Sequence, residues 1–114
     1  MTKGIVLPFP VSTHQAFRKH NGRYLSAKYR AWRDEAGWMV KHQRPAACHG
    51  PVSTLIELKA PDRRLRDGDN YKKGPIDLLV AHGIIEADNN RIVKQSTVRW
   101  VDAGEPCTVF VMPS

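Results

Sequence analysis

Cysteine is scarce in this chain of 114 residues, and the two present, Cys48 and Cys107, lie far apart. Neither belongs to a spaced pair of the kind that binds metal, which argues against a disulfide framework and a zinc ribbon. Also missing is any apolar run near the ~20 residues of a bilayer span, so no membrane partner is expected. There are no repeats, linkers or low-complexity tails. The opening stretch from Met1 to Pro8 has too short an apolar run before proline for a secretory signal, and a cytoplasmic, reducing location is the expectation. Negative charge is in deficit too, with 11 acidic residues against 18 Lys plus Arg and a net charge of +7. That balance favours a polyanionic partner, nucleic acid ahead of membrane. A chain this long makes a single domain, 1–114, with one core.

Gly4 to Leu7 reads as a short strand stopped by Pro8-Phe9-Pro10, because proline cannot donate to a ladder. Val11 to His14 reads as a loop. From Phe17 to Arg23 the chain is basic around the turn signal Asn21-Gly22, which suits a phosphate-contacting loop or hairpin. Ser26 caps a helix whose Tyr29, Trp32, Ala36, Met39 and Val40 recur at helical spacing as a core stripe, and which should end by Arg44, before Pro45. Gly37 weakens its interior by roughly 1 kcal/mol. Val52 to Ala60 alternates, with Val52, Thr54, Ile56 and Leu58 on one face. A further helix, capped by Asp69 or Asn70 and disturbed at Gly74-Pro75, should bury Ile76, Leu79 and Val80 and stop at Gly83 with a left-handed cap. Ile84-Ile85 is a very short strand. Arg91 to Val101 and Cys107 to Met112 read as two strands paired in an antiparallel hairpin. The expected fold is α+β: a mixed β-sheet with two helices in β-α-β-α-β-β order.

The densest run of charge is Pro61 to Lys73. Asp67 and Asp69, two apart, leave one face if the backbone is extended and diverge if it is helical. Converging carboxylates suit a hard divalent cation: magnesium, with manganese as substitute, takes one or two of them alongside substrate phosphate oxygens. Arg63, Arg64, Arg66 and Lys72 would draw in that phosphate, and Lys73 adds a further cation. The competing reading is a solvated surface loop, since Asp-Gly-Asp-Asn is equally good turn and cap chemistry.

The run Arg66-Asp67-Gly68-Asp69-Asn70, followed by Lys73, Asp77, Leu78, Gly83 and Asp88, resembles the RusA family of Holliday junction resolvases, with matching order and spacing. Pro8-Phe9-Pro10 with Ser12 is similar to the family's amino-terminal signature, departing at Val11 and at His14, where the family has proline and asparagine. The resemblance implies metal-binding carboxylates at Asp67, Asp69 and Asp88 and a catalytic lysine at Lys73. The family often has an acid where this chain has Ala87; either Glu86 beside it compensates or the position is dispensable. Glu57, on the strand leading into the acidic stretch, receives no role. The resemblance also implies a RusA-like fold, a four-way or branched DNA substrate, a homodimer with one site per strand, and nicks leaving 5′-phosphate and 3′-hydroxyl ends. The alternatives are a non-catalytic basic domain binding DNA or RNA, and a nuclease of broader branched-DNA specificity.

Overall fold

A computed structural model describes residues 4–19 and 23–114. Strand β1 (Ile5–Leu7) ends at Pro8, which has no amide to donate. The stretch expected to be a loop instead closes one helical turn, α1 (Thr13–Ala16), because the Gln15 and Ala16 amides both reach Ser12 O, at 3.0 and 2.9 Å. Four residues are too few to show a helical period. Strands β2 (Phe17–Lys19) and β3 (Arg23–Leu25) then pair antiparallel, while the expected turn at Asn21-Gly22 lies outside the described residues.

Helix α2 (Ala27–Gln43) begins where expected: Ser26 Oγ accepts the Tyr29 amide at 3.1 Å, satisfying one orphan donor of the first turn. It ends at Arg44, whose left-handed backbone (φ 51°) lets its amide bond Val40 O at 3.0 Å. Tyr29, Trp32, Ala36 and Val40 form the buried stripe, whereas Met39 sits at its rim. Gly37 is also buried, for a reason the sequence hides: a Cβ there would lie 3.2 Å from His82 Nε2, so glycine lets the end of a second helix approach. Gln43 uses its side-chain amide as a strand would, accepting from Val6 N and donating to Val6 O, both at 2.7 Å. The free edge of β1 is thereby closed to further pairing.

Strand β4 (Val52–Leu58) alternates as expected, with Val52, Ile56 and Leu58 fully buried and Thr54 nearly so. A 3-10 turn (Gly68–Tyr71) leads into α3 (Lys73–Ala81), so the helix starts later than the expected caps Asp69 and Asn70. Pro75 falls in its first turn, where an amide has no intrahelical partner to lose. Gly83 (φ 76°) gives the expected left-handed stop, with Gly83 N bonding Val80 O at 3.1 Å and Ile84 N bonding Leu79 O at 2.9 Å. Ile85 then makes one parallel bridge with Cys48.

Strands β5 (Val93–Trp100) and β6 (Cys107–Pro113) complete a four-stranded mixed sheet in the order β1-β6-β4-β5. The expected β5–β6 hairpin is not formed. Strand β5 pairs parallel with β4, with Ile56 opposite Val98, and β6 pairs antiparallel with β4 on its other side, with Ile56 opposite Val109. The connection between them crosses the end of β4, where Leu58 O accepts Val101 N at 2.9 Å and Lys59 N donates to Pro106 O at 3.0 Å. A parallel pair needs a crossover, and α3 supplies it. One sheet face, bearing Leu7, Ile56, Leu58 and Val109, shares a core with Trp32, Ala36, Leu78 and Leu79 of the helices. The Cys107 thiol is in this core, and burial pushes its pKa up to about 12. Among the described residues no helix is long and apolar enough to cross a membrane.

Candidate active site

The chain leaves β4 through a loop that is held by its own charges. Asp62 accepts both Arg66 Nη1 (2.8 Å) and Nη2 (3.0 Å), and the Arg64 amide at 2.8 Å. The Arg66 hydrogen bonds first, then the Arg64 amide, lower the Asp62 pKa to about 2. The guanidinium also lies 5.6 Å from the centre of the Phe9 ring. Phe9 in turn packs against Tyr71 (5.3 Å between centroids) and Trp100 (6.3 Å), so three distant segments meet beneath the loop. Arg66 is therefore engaged in holding this loop, its side chain only 7% exposed. Arg63 and Arg64 are exposed above it, Arg64 Nε lying 3.7 Å from Asp62.

Asp67 is extended (φ −93°, ψ 117°), and its Oδ1 accepts the Asp69 amide at 3.1 Å, capping the 3-10 turn. Only the first of the two acids is thus in extended backbone; Asp69 lies inside the turn, and the shared-face geometry of a continuous strand does not apply. Gly68 is the pivot. A Cβ there would stand 2.9 Å from Val98 Cγ1 and 3.3 Å from Trp100 Nε1, so the absence of a side chain lets the turn lie on β5. Lys72 Nζ ties the turn to the same strand, donating to Ser96 O at 3.0 Å while pairing with Asp69 at 3.1 Å. Thr13 Oγ1 donates to Asn70 O at 3.1 Å, bringing α1, which carries the exposed His14, against the turn.

At the first residue of α3, Lys73 Nζ pairs with Asp77 Oδ2, one helical turn further on, at 3.2 Å. Asp88 joins this pair: its pKa is raised by burial first and then by the neighbouring Asp77 carboxylate, against an opposing pull from Lys73. The structure thus brings Asp88 back to Lys73 across α3, and it adds Asp77, which the sequence placed in the motif without a role in the site. The signal was there in the Lys73–Asp77 spacing, since residues four apart share a helix face. Asp77 also acts on Tyr29, whose phenol is raised by burial first and by Asp77 second.

Glu86 lies elsewhere. It accepts the Gly50 amide at 2.8 Å and lies 3.6 Å from His49, so it holds the Cys48–Gly50 loop and does not substitute at the acidic group. Glu57 pairs with Arg99 of the neighbouring strand. Among the described residues no three or more His, Cys, Asp or Glu side chains are close enough together to hold a metal ion. The expected ligands Asp67, Asp69 and Asp88 are therefore not gathered into one such group; what suits a divalent cation is the type of their donors. All are oxygen donors, and Asp77 and Asp88 repel one another in a way that a bound cation would relieve.

Comparison with known proteins gives the same direction. The sequence model of the family described as Endodeoxyribonuclease RusA matches residues 8–112. The crossover junction endodeoxyribonuclease RusA of Escherichia coli (strain K12) is 37% identical over 84 residues, covering 72% of this chain and 70% of that protein. The proteins of the same name from Shigella sonnei (strain Ss046) and Enterobacteria phage 82 match with the same identity and coverage.

Proposed function

Because this chain belongs to the RusA family of endodeoxyribonucleases, we propose that it resolves four-way DNA junctions as a homodimer, by divalent-metal-dependent hydrolysis of one phosphodiester bond in each of two strands. Its work is then in DNA recombination and repair, in the cytoplasm. The observation that carries the chemistry is the meeting of Lys73, Asp77 and Asp88 at the start of α3, which follows the Asp67-Gly68-Asp69 turn after a few residues.

Asp67, Asp69 and Asp88 are the residues to hold magnesium, or manganese in its place. Bound there, the metal would lower the pKa of a water and offset the charge on the departing oxygen. Lys72 already neutralises Asp69, so the turn is arranged around a positive charge at its acids. Asp77 holds the Lys73 ammonium in place, and that ammonium offsets the negative charge that builds on the phosphoryl oxygens in the transition state. Asp62 and Arg66 keep the loop in register with the aromatic cluster, while Arg63 and Arg64 meet phosphate. The ends left are 5′-phosphate and 3′-hydroxyl. A two-fold dimer presents the same acidic site twice, to related strands.

The test is incubation of the purified protein with labelled four-way junction, flap and linear duplex, with and without magnesium. Paired cuts in the junction that need the metal are expected, and Asp67→Asn, Asp69→Asn and Asp88→Asn should each abolish them while junction binding persists. Mixing wild-type chains with an excess of Asp67→Asn chains should turn linear product from a cruciform plasmid into nicked circles. Unchanged cleavage by Asp88→Asn, or linear product in proportion to wild-type chains, would defeat the ligand set or the paired-site dimer respectively.

A further inference from the structure

The cations that the sequence offers for phosphate binding are largely engaged. Arg66 is clamped on Asp62, and Lys72 and Lys73 pair with Asp69 and Asp77. Helix α2 presents the opposite situation. Arg30, Arg33 and Lys41 form one stripe along it, and among the described residues none of them makes an ion pair with a carboxylate. They line an open groove of about 570 Å³ between α2 and the end of α3, with Asp34 and His82 also on its wall. Even counting Asp34, the three cations leave it positive.

At one end of the groove stands Trp38, an indole left 75% exposed, with Lys41 Nζ 5.7 Å from its centroid. Its indole thus presents an aromatic face to solvent beside the row of cations. Further along the same helix Arg33, also on the groove wall, lies 6.0 Å from the centre of the buried Tyr29 ring.

We infer that this groove binds a stretch of DNA strand whose bases are unpaired, as at the branch point of a junction, with phosphates on Arg30, Arg33 and Lys41 and an unpaired base on Trp38. Charge complementarity selects a polyanion, and an aromatic face beside a track of cations selects one whose bases are free to stack. A duplex arm would find only the cations. The inference rests on the proposed nuclease function for the identity of its ligand, but not for its test.

Binding is measured without divalent metal, by anisotropy of a labelled single-stranded oligonucleotide and of a four-way junction, over a salt series. Arg30→Gln with Lys41→Gln should weaken both, and should flatten the plot of log affinity against log salt for the single strand by about 1.4, at roughly 0.7 for each phosphate that is no longer neutralised. Arg30→Lys alone should restore most of the slope. The control Lys59→Gln with Lys94→Gln removes the same charge from two exposed cations outside the groove. If it weakens binding equally, or if the groove pair leaves affinity and slope unchanged, the groove is not the track. Oligothymidine should quench the fluorescence of wild type and not of Trp38→Phe; equal quenching in both would remove the stacking role. DNA binding through the groove without metal-dependent cleavage would retain the groove and refute the nuclease, whereas normal cleavage with binding indifferent to the groove would do the reverse.

Discussion

Gly68 offers the sharpest check on how the acidic turn is held. Its backbone is not left-handed, so alanine there carries no dihedral penalty, and the whole effect is steric. The added Cβ would lie 2.9 Å from Val98 Cγ1, whereas relaxed carbon contacts lie near 3.5–4.0 Å. The turn must therefore lift from β5 by about 0.6 Å or more, or Val98 and Trp100 must shift. Overpacking of this kind costs about 1–3 kcal/mol, or roughly 5–15 °C of melting temperature in a domain of this size. Asp67 and Asp69 move with the turn, and a misplacement approaching 1 Å lowers turnover by on the order of 10²-fold. Gly68→Ala should thus melt early and cleave slowly, with junction affinity in the absence of metal unchanged. Adding Val98→Ala makes room for the methyl and should recover a large part of both losses in a double-mutant cycle. Gly83→Ala provides the contrast: nothing lies within 4 Å of its Cβ, but φ is 76°, so it should lose about 1–2 kcal/mol of stability and no turnover per folded molecule. Calorimetry and single-turnover cleavage read the two quantities separately. A Gly68→Ala protein with wild-type melting and wild-type turnover would refute the close-approach account.

Asp77→Asn removes the like charge beside Asp88, so in the metal-free protein the Asp88 carboxyl should titrate at lower pH than in wild type, followed by NMR; no movement would separate the two acids. It also frees Lys73, and turnover should fall with affinity little changed, a split that a merely structural role would not give. Asp62 carries the opposite shift. Its folded pKa, near 2, is below the unfolded value of about 3.9, so its stabilising effect is complete above the unfolded value and disappears as pH falls through the folded one. Protection of the amides around residues 62–66, taken relative to the intrinsic exchange rate at each pH, should therefore fall between about pH 4 and 2, and Arg66→Gln should bring Asp62 back toward the ordinary carboxylate range. An unchanged Asp62 titration in Arg66→Gln would remove the clamp.

Local periodicity and cap chemistry determined the strand at Val52–Leu58, the buried stripe of α2, the Ser26 cap, and the stops at Arg44 and Gly83, because each depends on residues within one or two turns of one another. The motif from Arg66 to Asp88 was likewise legible, and with it the family. Which strands pair was not, since alternation marks a buried face without naming a neighbour: β6 enters between β1 and β4, and β5 takes the far edge of β4, through contacts between segments distant in the chain. The charges divided in the same way. Sequence counted Arg66 and Lys72 as free cations, and only folding set them on Asp62, Ser96 and Asp69, because a side chain's partner depends on distances that backbone geometry decides. The aromatic cluster of Phe9, Tyr71 and Trp100 and the approach of Asp88 to Asp77 are products of the tertiary structure for the same reason, as is the row of cations on α2 that meets no carboxylate among the described residues.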